Sequence, residues 1–136
     1  VRRRQPARVR AEIAKCEVVC ACCHRIRTLS RRGSWRVGGE TPLCVRRRVG
    51  LELVRQRLAD GCIDCGRTDL AVLEFDHVGP KRKSVMTLVW SGYGLETIRR
   101  EMDACVVRCC NCHRRRTAAV GNHYRHAATM SDATPP

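Results

Sequence analysis

Large side chains are scarce in this chain of 136 residues: Trp35, Trp90, Tyr93, Tyr124 and Phe75 are its only aromatics. So few big groups bury little apolar surface, and the length allows one modest domain with tails or two very small ones. A hydrophobic core is therefore an incomplete account of what holds the fold. No apolar run approaches the ~18 residues that would span a bilayer, which excludes a helical membrane span. The N-terminus, Val1-Arg2-Arg3-Arg4, has no apolar stretch behind it, so no secretory signal is expected and an intracellular, reducing compartment is. Acidic groups are few as well, 13 against 27 basic ones, for a net charge of +14. Lysine contributes only Lys15, Lys81 and Lys83, leaving 24 of the 27 as arginine, whose planar fork suits phosphate oxygens. That density outweighs the reading of a merely solvated basic surface and points to a nucleic-acid partner.

Cysteine, by contrast, is abundant, with eleven residues. In a reducing compartment these read as metal ligands rather than disulfides. Cys62-x-x-Cys65 and Cys109-x-x-Cys112 have knuckle spacing, each placing two thiolates on one side of a tight turn. Together they are the closed set of four expected of a structural tetrahedral Zn2+. The 43 residues between the pairs must loop out and return, so the metal would clamp the ends of whatever that loop builds.

The chain also contains an internal repeat. Residues 12–28, EIAKCEVVCACCHRIRT, align without gaps to residues 101–117, EMDACVVRCCNCHRRRT, at an offset of 89 with 9 of 17 positions identical. The first copy has neither an upstream CxxC nor an Asp-His pair, so it cannot form the same site from its own residues. Cys16, Cys22 or Cys44 would be the only further ligands for a makeshift zinc site there. The organisation expected is a basic, disordered arm over 1–10, a partial repeat over 11–30, a linker over 31–49, a complete domain over 50–119 and a disordered tail over 120–136. Val1 stands where an initiator methionine would, and the reading favoured is the stump of a longer tandem gene over an alternative start codon.

Hydrophobic spacing predicts the local elements. Leu51, Val54 and Leu58 recur as one helix face that stops at Asp60-Gly61. Residues 71–77 alternate as a strand, with Val72, Glu74 and Asp76 on one face and Leu73, Phe75 and His77 on the other. Leu95, Ile98, Met102 and Cys105 predict another helix, Val106-Val107 a short extended piece, and 113–119 a third helix.

Inside the clamp lie Asp76 and His77, and His113 follows the last cysteine at once. If the clamp brings His113 beside Asp76, a carboxylate oxygen and an imidazole nitrogen can hold one divalent ion with open positions, suited to polarising a phosphodiester. His77, uncharged near neutral pH, is the candidate to take a proton from attacking water. Alone, Asp-His would more often be a turn cap and a packed histidine; between two knuckles it becomes specific.

The series CIDCG, LEFDHVGPKR and VRCCNCHRRRT resembles the HNH (ββα-metal) endonucleases, in particular small bacterial and phage members. The resemblance covers about residues 50–118, with 12–28 as a partial second copy. It implies a small α+β fold: a ββα-metal finger, hairpin then helix, clamped by a four-cysteine zinc, with additional short helices. It further implies a cytoplasmic, bacterial or phage-encoded hydrolase that cuts DNA. His77 would be the general base and Asp76 with His113 the ligands of a catalytic Mg2+, Mn2+ or other divalent ion. Cys62, Cys65, Cys109 and Cys112 would be the zinc ligands. One departure is that the family's middle asparagine is missing from 78–108, leaving Asn111 as the nearby candidate, which is equally well read as a turn residue. Lys81, Arg82 and Lys83, with Arg114, Arg115 and Arg116, are expected to grip phosphates flanking the scissile bond. The rival function is a non-catalytic zinc ribbon that only binds nucleic acid. A homodimer is left open, since two sites would help cut both strands.

Overall fold

A computed structural model describes residues 6–32 and 37–121, so what was expected of 1–5 and of 122–136 lies outside the described residues. It is a small α+β structure of six helices and one two-stranded sheet among those residues. In chain order these are α1 (Pro6–Ile13), α2 (Ala21–Arg32), α3 (Pro42–Leu58), β1 (Leu73–His77), α4 (Val85–Trp90), α5 (Leu95–Asp103), β2 (Cys105–Cys109) and α6 (Cys110–Val120).

The core is built where sequence periodicity placed it. Helix α3 buries Gly50, Leu51, Val54 and Leu58, and α5 buries Ile98, Glu101 and Met102. Helix α3 starts earlier than expected, within the stretch read as linker 31–49. Thr41 caps it by accepting from the Cys44 N–H, and Pro42 supplies a preset φ in the first turn. Gly50 lets α3 approach α4 closely: a Cβ there would meet Val89 Cγ1 at 3.2 Å. Helix α4, six residues long and capped by Ser84, is too short to show a period in the sequence. The arm over 1–10 is helical from Pro6, and α1 buries none of its residues.

Strands β1 and β2 pair antiparallel, Leu73 opposite Cys109 and His77 opposite Cys105. They are joined by α4 and α5 rather than by a tight hairpin turn. Two further bonds extend the pairing at its ends, Cys110 N–H to Val72 O at 2.9 Å and Val78 N–H to Ala104 O at 3.1 Å. The chain then turns directly into α6, which packs on both strands, while α2 packs on α6. Buried Cys22 of α2 joins the core cluster, so the first repeat copy lies against the second. No helix of the described residues is long and apolar enough to cross a membrane.

Candidate metal centre and the adjoining carboxylate–histidine cluster

The two knuckles meet. The Sγ atoms of Cys62, Cys65, Cys109 and Cys112 all lie within 4.8 Å of one another. A tetrahedral zinc at its usual bond length of about 2.3 Å would set its sulfurs about 3.8 Å apart. The Cys65–Cys109 separation is 3.8 Å. The four are therefore positioned to hold a metal ion and are compatible with structural zinc.

Local backbone makes this possible. Cys62 N–H bonds Arg67 O at 2.8 Å and Gly66 N–H bonds Cys62 O at 2.8 Å, a tight turn closed by Gly66 at φ +70°, where a side chain would be strained. The Ile63 N–H to Val107 O bond, 3.0 Å, ties this first knuckle to β2. The second knuckle begins at the end of β2, with Cys109 as N-cap of α6.

The thiols feel one another. Burial pushes Cys62 up, but the N–H groups of Cys109, Cys65 and Asp64 outweigh it and bring it down to about 6. Cys109 is likewise lowered: burial opposes, and the Cys112 N–H leads the groups that win. Cys112 is pushed up by burial and then by the neighbouring Cys109, Cys65 and Cys62 sulfurs. For Cys65 the Arg67 N–H acts downward, yet Cys62 and Cys109 prevail and raise it. Two readily formed thiolates thus hold up the other two, a mutual repulsion that a bound cation relieves.

Beside this cluster, on one face of β1, lie Glu74 and Asp76. His113, in the first turn of α6, bridges them: Nδ1 is 2.7 Å from Glu74 Oε1 and Nε2 is 3.3 Å from Asp76 Oδ1. Asp76 is 4% exposed and also accepts from Arg108 (2.7 Å) and Arg116 (3.2 Å). Arg108 reaches back to Asp64 of the first knuckle at 2.8 Å, so one guanidinium links the knuckle to the buried carboxylate. Arg108 is held more firmly protonated than usual, chiefly by Asp64, against burial and with help from Asp76.

His77, next to Asp76 on the strand, leaves from the opposite face. Its Nε2 is 2.8 Å from Glu101 Oε1 of α5. The same carboxylate oxygen accepts the N–H groups of Arg82 and Lys83 at 3.3 Å each, which anchors the basic loop after β1. Burial acts to raise the Glu101 carboxyl, but the His77 bond and these two N–H groups win and lower it.

Of the residues expected to act together, the fold brings Asp76 and His113 together and sets His77 apart from them, as strand alternation requires. Asn111 makes no hydrogen bond to His77 among the described residues; its Oδ1 accepts the Cys22 N–H at 3.2 Å. Arg115 and Arg116 line an open groove with Asp64, Cys65, Arg108 and Cys112, while Arg114 is exposed. Lys81, Arg82 and Lys83 are exposed, and Lys83 Nζ bonds the Tyr93 hydroxyl at 2.8 Å. Glu74, Glu101, Arg108 and Arg25 were not singled out from sequence. Glu74 alone carried a signal, since it shares a strand face with Asp76; Arg25, which bonds Glu74 Oε2 at 2.6 Å, comes from the first repeat copy.

Comparison with known proteins finds no match to a family model, to a curated protein or to a solved structure.

Proposed function

We propose that the chain is a metal-dependent endonuclease of the HNH type, cutting DNA phosphodiesters at the Asp76–His113 cluster beside a structural zinc. The observation that carries the reading is the pairing of Asp76 Oδ1 with His113 Nε2 while Glu74 holds the other ring nitrogen. A carboxylate accepting from Nδ1 fixes the imidazole tautomer and turns the Nε2 lone pair toward Asp76, the usual arrangement behind a metal-binding histidine. One hard oxygen and one imidazole nitrogen fit a divalent ion with open positions. Arg116 must turn aside from Asp76, and its side chain is 37% exposed, so it has room to do so. A Mg2+ or Mn2+ held there would supply Lewis-acid polarisation of the scissile phosphate and charge stabilisation of its leaving oxygen.

The remaining steps belong to the chain's own residues. His77 donates Nε2–H to Glu101, which leaves Nδ1 to take the proton of the attacking water. Asp76 and His77 leave β1 from opposite faces, so the phosphodiester would sit at the strand's unpaired edge, within reach of both. Arg115 and Arg116, turned into the groove beside the cysteines, would hold flanking phosphates with little base selectivity.

A specific observation favours the rival reading of a nucleic-acid-binding zinc ribbon. Two arginines already neutralise Asp76, as they would in a purely structural ion-pair network. Plasmid cleavage with Mg2+ or Mn2+, beside His77→Ala and a chelator control, separates the two. We expect wild type to nick or linearise plasmid and His77→Ala to fall by about 10²- to 10⁴-fold with its zinc retained. DNA binding by both proteins with no cleavage under any ion would replace the nuclease with the ribbon.

A further inference from the structure

The nuclease reading leaves the first repeat copy unused, although it repeats the chemistry of the second knuckle. Cys109 caps α6 and Cys112 lies in its first turn; at the same offset of 89, Cys20 immediately precedes α2 and Cys23 lies in its first turn. The local geometry is also shared. Cys23 N–H reaches Cys20 Sγ at 3.4 Å, so the turn folds back on its own first sulfur, and in the second copy the Cys109 and Cys112 sulfurs lie within 4.8 Å of each other. The neighbourhood is built rather than incidental: Asn111 holds this turn through the Cys22 N–H, and the Cys22 and Cys110 sulfurs touch at 3.3 Å beneath it.

The difference lies in what faces the pair. Cys109 and Cys112 meet Cys62 and Cys65. Cys20 and Cys23 are both exposed, and among the described residues only the Cys62 cluster gathers three or more ligand side chains. Cys16, the nearest sequence candidate, is directed to Glu12 O at 3.3 Å. A thiolate pair with knuckle spacing is half of a tetrahedral zinc set, and zinc in such sites takes four protein donors.

We propose that Cys20 and Cys23 form a second zinc half-site, completed by the same pair from a second copy of this chain, so that one shared ion bridges a homodimer. A two-fold axis through the ion would make the site self-complementary, the commonest symmetry of a dimer. Four thiolates on the axis place two negative charges in excess of the ion between chains that each carry +14, which offsets part of their repulsion, and salt screens the rest beyond ~8 Å. This assignment does not depend on the nuclease reading.

The test is zinc content and mass of the full chain in solution, kept under reductant so that no disulfide can mimic the bridge. We expect a dimer by sedimentation equilibrium holding about 1.5 zinc per chain, one closed set each and one shared. A chelator at a level that leaves the buried cluster loaded should release the shared ion and give monomers. Cys20→Ser/Cys23→Ser, changing two exposed residues, should be a folded monomer with about one zinc per chain. A wild-type monomer overturns the proposal, whether with one zinc or with two, the latter meaning completion within the chain. So does a dimer that survives the double substitution.

Discussion

Residues 12–28 and 101–117 are two copies of one sequence with different fates. In the second copy Glu101 is buried on His77, Cys105 and Val107 are in the core, Cys109 and Cys112 join the four-sulfur cluster, and His113 bonds Glu74. At the matching places in the first copy, Glu12 is exposed on Lys15, Cys16 is exposed, and Val18 is 103% exposed. Cys20, Cys23 and His24 are exposed too. What separates them is a partner. The second copy has β1 and the Cys62 knuckle to fold against; the first meets α6 through Cys22, which touches Cys110 and Asn111, and reaches β1 by the Arg25–Glu74 ion pair. Identical residues become a site only where another segment supplies the opposing donors and excludes water.

The largest effect that could break this contrast lies in the sulfurs. Cys62→Ser or Cys109→Ser should abolish metal binding at the four-cysteine cluster and cooperative melting, because structural zinc can contribute on the order of 10 kcal/mol of folding free energy. Cys23→Ser should leave the melt of the 50–120 region in place. Metal analysis with thermal melts by circular dichroism compares them, and equal losses would mean that both copies are equally structural.

Next comes Glu74→Gln, which keeps the size but weakens the hold on His113. Under the proposed nuclease function, cleavage should fall by about 10- to 100-fold at unchanged zinc content, while His24→Ala in the first copy leaves the rate alone. Single-turnover plasmid nicking measures both, and a matching loss for His24→Ala would show that the first copy takes part in the chemistry.

Acid should distinguish Glu101 from Glu12. The folded Glu101 carboxyl sits below its ordinary value of 4.5, so its stabilisation is complete above that value and is lost as pH falls through the lowered one. Denaturant titrations between pH 6 and 3 should show this loss in wild type and in Glu12→Gln but a flatter profile in Glu101→Gln. An unchanged slope in Glu101→Gln would refute the assignment.

The contact between the copies is the weakest link. Asn111→Ala leaves the Cys22 N–H without its acceptor and should cost about 1 kcal/mol. Arg25→Ala removes a half-exposed ion pair with Glu74 and should cost less than about 1 kcal/mol. Chemical denaturation resolves the first, and the order of the two sharpens how firmly α2 is held.

Much of this was legible before any tertiary structure. Helical spacing located α3 from Leu51, Val54 and Leu58, and α5 from Ile98 and Met102; alternation located β1; paired CxxC spacing located the metal cluster. These are local signals, set by residue period and by turn geometry. Helix α2 was available in principle, since the repeat maps it onto α6, yet its own residues bury only Cys22. The hairpin implied by resemblance is instead a strand pair separated by α4 and α5.

The residue types and spacings by themselves determined that four thiols would gather, that Asp76 and His77 would leave opposite faces of a strand, and that two similar knuckles would exist. Only the tertiary structure decided which oxygen His113 meets, that Glu74 holds its other nitrogen, that Arg108 ties Asp64 to Asp76, that Glu101 holds His77, and that Asn111 serves the first copy. Period and spacing report which face a side chain takes within its own element. Which group waits on that face is set by how distant segments pack, and no local pattern encodes it.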